Sequence, residues 1–271
     1  DDHRYILDTT SKLGIITARP GSGICHQLHL EHWARPGHSL IGGDSHTVAA
    51  GGIGMLSIGV GGFDNAMALA GKPFYFTMPE IVKVELTGEL QPFVSAKNII
   101  LEVLRRLGVK GGVGKILEYT GPGVKTLNIA ERSTITNMGQ ETGATTSVFP
   151  SDENTRKWLK AYGREEQYIE LSADEDAIYD EVMEINLSQL EPLIALPHLP
   201  GNVVTVREVA GLKVDQVMIG SCTNTALNDV LSVAHILDGK EIHKDVDCGL
   251  FPSTRTVIRE SINRGAYEKI V

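Results

Sequence analysis

Apolar and polar positions change their period several times along this chain, and each change marks an element. Ile81–Leu90, IVKVELTGEL, alternates with the two-residue period of a strand buried on one face. SAKNIILEVLRRLG follows with helical spacing. Ser95 offers an N-cap, Ile99, Ile100, Val103, Leu104 and Leu107 share one face, and Gly108 supplies a stop. SDENTRKWLKAYG repeats that grammar, with Ser151 as the cap, acidic residues in the first turn and Gly163 at the end. The acidic stretch ELSADEDAIYDEVMEINLSQLEPL reads as a solvated face beside a strand around Glu184–Leu187. Beyond LPHLPGN, KVDQVMI predicts a strand, ALNDVLSVAHILDG a helix, DVDCGLF a second strand and STRTVIRESINRGAYEKIV a second helix. Strands alternating with helices in this way predict an α/β fold of parallel sheets with flanking helices. No internal repeat stands out.

Glycine changes the picture in the first half. IGGDSHTVAAGGIGMLSIGVGG, Ile41–Gly62, is dense with it, yet Ile, Met, Leu and Val are interleaved throughout. That mixture predicts ordered backbone in tight turns and close approaches rather than a flexible linker.

Composition sets outer bounds. The 271 residues are 42% hydrophobic and 22% charged, an ordinary globular balance, with room for one large domain or two to three small ones. The net charge of −9 argues against an electrostatic nucleic-acid or anionic-membrane partner. No apolar run approaches the roughly 20 residues of a membrane span. Three cysteines, Cys25, Cys222 and Cys248, are too few and too odd in number for a disulfide framework, and point to a reducing compartment.

Four short stretches carry candidate chemistry. Cys222 in VMIGSCTNTALNDV falls between a strand's carboxyl end and a helix's amino end, where ligands of open α/β sheets bind and the helix dipole favours a thiolate. By position alone a buried, inert thiol is the better reading. In GGDSHT, Asp44, Ser45 and His46 are consecutive, so they can converge on one cavity only from a loop; an Asx-type turn with a surface histidine is the plainer reading. In PGSGICHQLHLEH, His29 and His32 read as partly exposed helix positions, while His26, ahead of the helix proper, can aim into a pocket. In NMGQETGATTSVFP, Glu141 can serve as a base, orient a histidine, or cap a helix.

Taken together and in this order, GSGICHQ, GGDSHT, NMGQETGATTSVFP and IGSCTN resemble the aconitase family of iron–sulfur hydro-lyases. LTGEL, VKGGVGKILEYTGPGV and IGVGG extend the likeness over nearly the whole chain. GATTSVFP and EYTGPGV look closer to aconitase proper than to its isopropylmalate relatives. The resemblance therefore implies aconitate hydratase, with citrate, cis-aconitate and isocitrate as ligands, in the tricarboxylic acid cycle. The alternatives are a homoaconitase or a 3-isopropylmalate dehydratase large subunit; an RNA-binding relative or an inert fragment stands further off.

The resemblance also implies a [4Fe–4S] cluster held by three cysteines. Cys222 matches the first ligand, and the other two belong to a later Cys-x-x-Cys that this sequence does not contain. It implies parts of three related domains: 1–79 from the end of a first, 80–197 a whole second, and 198–271 the start of a third. The remainder, as further polypeptide or a partner subunit, would supply the missing cluster ligands, arginines and serine base, so the isolated chain is expected to be inactive. Cys25 and Cys248 are expected to be ordinary buried cysteines. His46 is implied to pair with Glu141 and His26 with Asp44. Asp44, Ser45 and His46 would line the substrate pocket, with Asn137 and Asn224 near the cluster. The expected location is the cytoplasm, or the mitochondrial matrix in a eukaryote.

Overall fold

A computed structural model describes residues 2–270. Its helices are α1 (Asp2–Lys12), α2 (Cys25–His32), α3 (Gly62–Leu69), α4 (Ala96–Leu107), α5 (Ile129–Gly139), α6 (Glu153–Ala161), α7 (Leu227–Leu237), α8 (Arg255–Asn263) and α9 (Ala266–Ile270). The strands are β1 (Ser39–Gly42), β2 (Leu56–Gly59), β3 (Glu80–Thr87), β4 (Lys115–Thr120), β5 (Thr146–Val148), β6 (Glu181–Asn186), β7 (Leu193–Ala195), β8 (Val203–Thr205), β9 (Gln216–Ile219) and β10 (Asp247–Leu250). The chain divides into two compact units, one formed by residues 1–29 with 214–271 and the other by residues 30–213.

The larger unit is built on a four-stranded sheet in the order β5-β4-β3-β6, parallel throughout. The alternation seen in the sequence is realised on β3, where Val82, Val84 and Leu86 are buried and the residues between them are less so. Leu117 and Tyr119 of β4 and Ile185 of β6 join them, and Ile99, Ile100 and Val103 of α4 close the core. Tyr119 stacks on Phe149 with ring centroids 4.5 Å apart. Burial pushes the Tyr119 hydroxyl well above the ordinary tyrosine range, so it stays un-ionised. β1 and β2 form a separate parallel pair, and β7 with β8 an antiparallel one.

Arg132 is the largest fully buried side chain among the described residues. Its guanidinium donates to the carbonyls of Val124, Leu127 and Pro150 and to the Asp152 carboxylate at 2.6 Å. A buried cation is tolerable there because it has a counter-charge and a carbonyl cradle. It ties α5 to the turn before it and to the head of α6.

In the smaller unit β9 and β10 pair in parallel, and α7, α8 and α9 pack together beside them. Distant sequence is stitched in by the backbone: Ile24 N–H donates to Ser253 O at 2.9 Å, and Arg255 N–H to Ser22 O at 3.0 Å. Among the described residues no helix is long and apolar enough to cross a membrane.

Ser95 and Gly108 flank α4 as expected, Gly108 with φ 66°. Three expectations need correction. Asp152, not Ser151, caps α6: its carboxylate accepts from the amides of Asn154 and Thr155, while Ser151 is buried and exchanges two backbone bonds with Leu171. The last predicted helix is two, α8 and α9, because Gly265 takes φ 66° between them. Cys25 and Cys248 are exposed rather than buried. Cys25 is the first residue of α2, and Cys248 lies on a strand of a two-stranded sheet whose positions are only partly covered.

Glu102, 3% exposed on α4, receives Arg105 Nε and Nη2 and Arg106 Nε at 2.7–3.0 Å. Burial raises its pKa, but the two guanidiniums outweigh burial and hold it below the ordinary glutamate value. A carboxylate with a lowered folded pKa stabilises above its unfolded pKa and loses that contribution as pH falls through the folded value. Glu102→Gln is expected to cost about 1–3 kcal/mol at neutral pH, with the exposed arginine ends screened. Urea melts should show the gap between parent and variant closing below the ordinary glutamate range.

Candidate active site

The smaller unit holds the cysteine turn. β9 ends at Ile219, and Gly220 follows with φ 113°; a Cβ there would lie 2.4 Å from Phe251 O, so glycine is needed for both conformation and space. The turn is fastened at each step. Ser221 N–H donates to Thr225 Oγ1 and Thr223 N–H to Ser221 Oγ, both at 3.1 Å. Ser253 Oγ donates to Thr225 O at 3.0 Å. Ala226 N–H donates to Asp229 Oδ2 at 2.8 Å, closing the first turn of α7. Cys222 and Asn224 are half-buried on this turn.

His26 stands on the same unit. Its Nε2 bonds the carbonyl oxygen of Cys222, and Gln27 Nε2 reaches that oxygen at 3.5 Å. A carbonyl only accepts, so Nε2 carries the proton, and in the neutral ring Nδ1 is the lone-pair nitrogen, 4.0 Å from Cys25 Sγ. His26 lies within α2, not ahead of it; His29 is half-buried and His32 exposed, as anticipated.

The larger unit holds the Asp-Ser-His turn. After β1 the chain enters a nine-residue 3-10 helix, Ser45–Ile53, buried from Thr47 onward. Asp44 caps it, accepting from His46 N–H at 3.0 Å, while Thr47 Oγ1 donates to Asp44 O at 2.6 Å. This is the Asx turn that the bland reading expected, and it also sets three candidate side chains at one helix mouth. Ser45 is exposed, and Asp44 and His46 are half-buried. Asn137 is fully buried near the end of α5, and Glu141 follows in the 3-10 turn Gln140–Thr142.

The glycines bring these two pieces together. A Cβ on Gly51 would lie 1.9 Å from Ser147 O, and one on Gly52 2.6 Å from Ser133 N. The 3-10 helix thus lies directly on the backbones of β5 and α5. Ser133 Oγ and Thr136 Oγ1 each donate to Ala49 O at 3.1 Å. Arg132, Ser133, Thr136 and Gln27 were not singled out in the sequence. The i, i+3 spacing of the two hydroxyls opposite a Gly-Gly pair was the available signal. Asp44 and His26 fall in different units, so neither unit by itself tests the pairing implied for them.

The fit of a [4Fe–4S] cluster turns on its donor set. Among the described residues Cys222 lies just past the carboxyl end of β9, where a thiol could reach a bound group. Cys248 lies inside β10 and Cys25 heads α2, neither on that turn. The donors held here fall short of the three thiolates a cluster of this kind takes, and the roles open to this chain are those of its own side chains.

These features define a class: an α/β protein of parallel sheets with histidine, carboxylate and thiol side chains on turns at the ends of strands. The family model for aconitase (aconitate hydratase) matches residues 3–212 and 207–270. The chain belongs to the aconitase family. The 3-isopropylmalate dehydratase large subunit 2 of Archaeoglobus fulgidus is 40% identical over 271 residues, 100% of this chain and 65% of that protein. Large subunit 1 of Thermotoga maritima is 42% identical over 273 residues, with the same coverage. The large subunit of a Thermoanaerobacter species is 43% identical over 236 residues, 87% of this chain and 56% of that one. The chain thus spans about 65% of the length of the first two relatives. A solved structure of aconitase X from Thermococcus kodakaraensis matches 97% of this chain and 61% of its own, at TM-score 0.55 and 18% identity, a likeness of fold.

These names overturn the expectation of aconitate hydratase itself, and with it citrate, cis-aconitate, isocitrate and the tricarboxylic acid cycle. The two motifs behind that expectation are scaffold. Within GATTSVFP, Ser147 O is the surface on which Gly51 rests; within EYTGPGV, a Cβ on Gly121 would lie 2.5 Å from Leu86 O. Both report backbone packing, which relatives with different substrates can share.

Gly51→Ala should be the more damaging of two small changes. With Ser147 backbone in the way, the 3-10 helix must lift, at a cost of about 1–3 kcal/mol or more. Gly62→Ala, with nothing within 4 Å of its Cβ, should leave the thermal midpoint almost unmoved. Paired thermal melts check the contrast.

Proposed function

We propose that this chain is part of a 3-isopropylmalate dehydratase large subunit, a hydro-lyase that removes water from, and returns it to, a hydroxy-dicarboxylic acid. One observation carries the reading: relatives of that name are 40–42% identical across the full span of this chain. The three-domain division at residues 80 and 198 belongs to the same reading. So do the remaining polypeptide and a partner subunit, which the words "large subunit" imply.

The chemistry asks for three things. A weakly acidic C–H proton must be taken, a poor hydroxide leaving group assisted, and two carboxylates held. A [4Fe–4S] cluster would supply Lewis acidity for the leaving oxygen, and Cys222 would be one of the residues holding it, the other thiolates coming from the rest of the protein. His46 with Glu141 is assigned to proton handling, the carboxylate orienting the ring. Asp44 and Ser45, at the mouth of the 3-10 helix, are assigned to the substrate, Ser45 as a donor to a carboxylate. His26 is assigned a second proton-handling role: its Nε2–H donates to Cys222 O, and in the neutral ring Nδ1, beside Cys25 Sγ, is the accepting nitrogen. Asn137 and Asn224 are assigned to the surroundings of the cluster.

The full-length protein with its partner subunit should turn over 3-isopropylmalate at least tenfold better, by kcat/KM, than citrate or homoaconitate. A preference for citrate would sink the reading. His46→Ala and Glu141→Gln should each lower kcat by about 10²- to 10⁴-fold. If the two act as a pair, the double variant should be little worse than the weaker single one. Fully multiplicative losses would separate their roles.

A further inference from the structure

The 3-10 helix Ser45–Ile53 opens on Asp44, Ser45 and His46 and is held at its middle by two hydroxyls. Ser133 and Thr136 lie one helical turn apart on α5, are at most 1% exposed, and both donate to the carbonyl oxygen of Ala49 at 3.1 Å. Ala49 is three residues beyond His46; Asn137 immediately follows Thr136 on the same helix, and Glu141 lies one turn further on. The clamp therefore joins the segment that bears His46 to the one that bears Asn137 and Glu141.

Sterics alone leave one direction free. Gly51 against Ser147 O and Gly52 against Ser133 N fix how closely the 3-10 helix approaches its supports. The backbone adds one bond at this contact, Phe149 N–H to Gly51 O at 2.9 Å, which holds the 3-10 helix to the segment after β5 rather than to α5. Two donors of different reach converging on one oxygen do resist sliding, because any translation lengthens at least one bond. Both hydroxyls are spent on a main-chain carbonyl, so their effect is on position rather than on chemistry.

We propose that Ser133 and Thr136 are positioning residues, which set the register of the Asp44–Ser45–His46 turn against the end of α5 by clamping Ala49 O. The inference rests on the function proposed above for its kinetic consequence, but its geometric claim does not. Near-attack geometry is demanding: about 1 Å of misplacement can cost about 10²-fold in rate. Loss of both hydroxyls is thus expected to lower kcat and to raise KM, since Asp44 and Ser45 shift with the same turn as His46.

The test uses the full-length protein with its partner subunit and four variants: Ser133→Ala, Thr136→Val, Thr136→Ser and the double Ser133→Ala/Thr136→Val. Two readouts are taken, kinetics on 3-isopropylmalate and the ring resonances of His46 with labelled histidine in the absence of substrate. The double variant should lose about 10- to 100-fold in kcat with a raised KM, and its His46 resonances should move; Thr136→Ser should retain the parent values in both. A folded double variant with parental kcat and unmoved His46 resonances would overturn the clamp. Should the double variant not fold, Thr136→Val against Thr136→Ser makes the same decision with one hydroxyl. Should the parent protein not act on 3-isopropylmalate, the functional reading fails, and the His46 resonances alone decide the clamp.

Discussion

Backbone meets backbone where Gly51 and Gly52 lie on β5 and α5, and much of the candidate chemistry in the larger unit depends on that contact. A side chain of even one carbon at either position would force the 3-10 helix outward. Because none is present, Asp44, Ser45 and His46 are presented on a rigid mouth, not a free loop. Below the contact Arg132 fixes α5 through three carbonyls and Asp152, and α5 in turn carries Asn137 toward the turn with Glu141. Packing, a buried cation and candidate catalysis thus form one continuous chain of dependence.

The smaller unit solves a related problem with hydrogen bonds. Its cysteine turn has one glycine, Gly220, and a run of small hydroxyl residues that satisfy each other's backbones. The result is a half-buried Cys222 whose carbonyl engages His26, a residue 196 positions away in sequence. A main-chain atom thereby orients the imidazole beside the cysteine turn.

The substrate correction has a physical lesson. Sequence motifs that set the expectation of aconitate hydratase, Gly143–Pro150 and Glu118–Val124, are the shelf on which other backbone rests. Motifs of that sort are specific to a fold because interiors tolerate little change in volume. They say little about which hydroxy acid is bound, since selection among substrates depends on side chains that touch the differing group.

The sequence by itself determined the α/β class, the strand period of Ile81–Thr87 and the caps of α4, and it marked four short stretches as candidates for the chemistry. Each of these rests on local physics: alternation of burial, helix capping, or a glycine where φ must be positive. Tertiary structure alone decided the rest. That Ser133 and Thr136 converge on Ala49, that Arg132 finds Asp152, that Ser151 gives up its cap to pair with Leu171, and that Cys25 and Cys248 are exposed all depend on distant segments. Local sequence records what a residue can do; which partner reaches it depends on how segments far apart in the chain pack, and no short-range pattern encodes that distance.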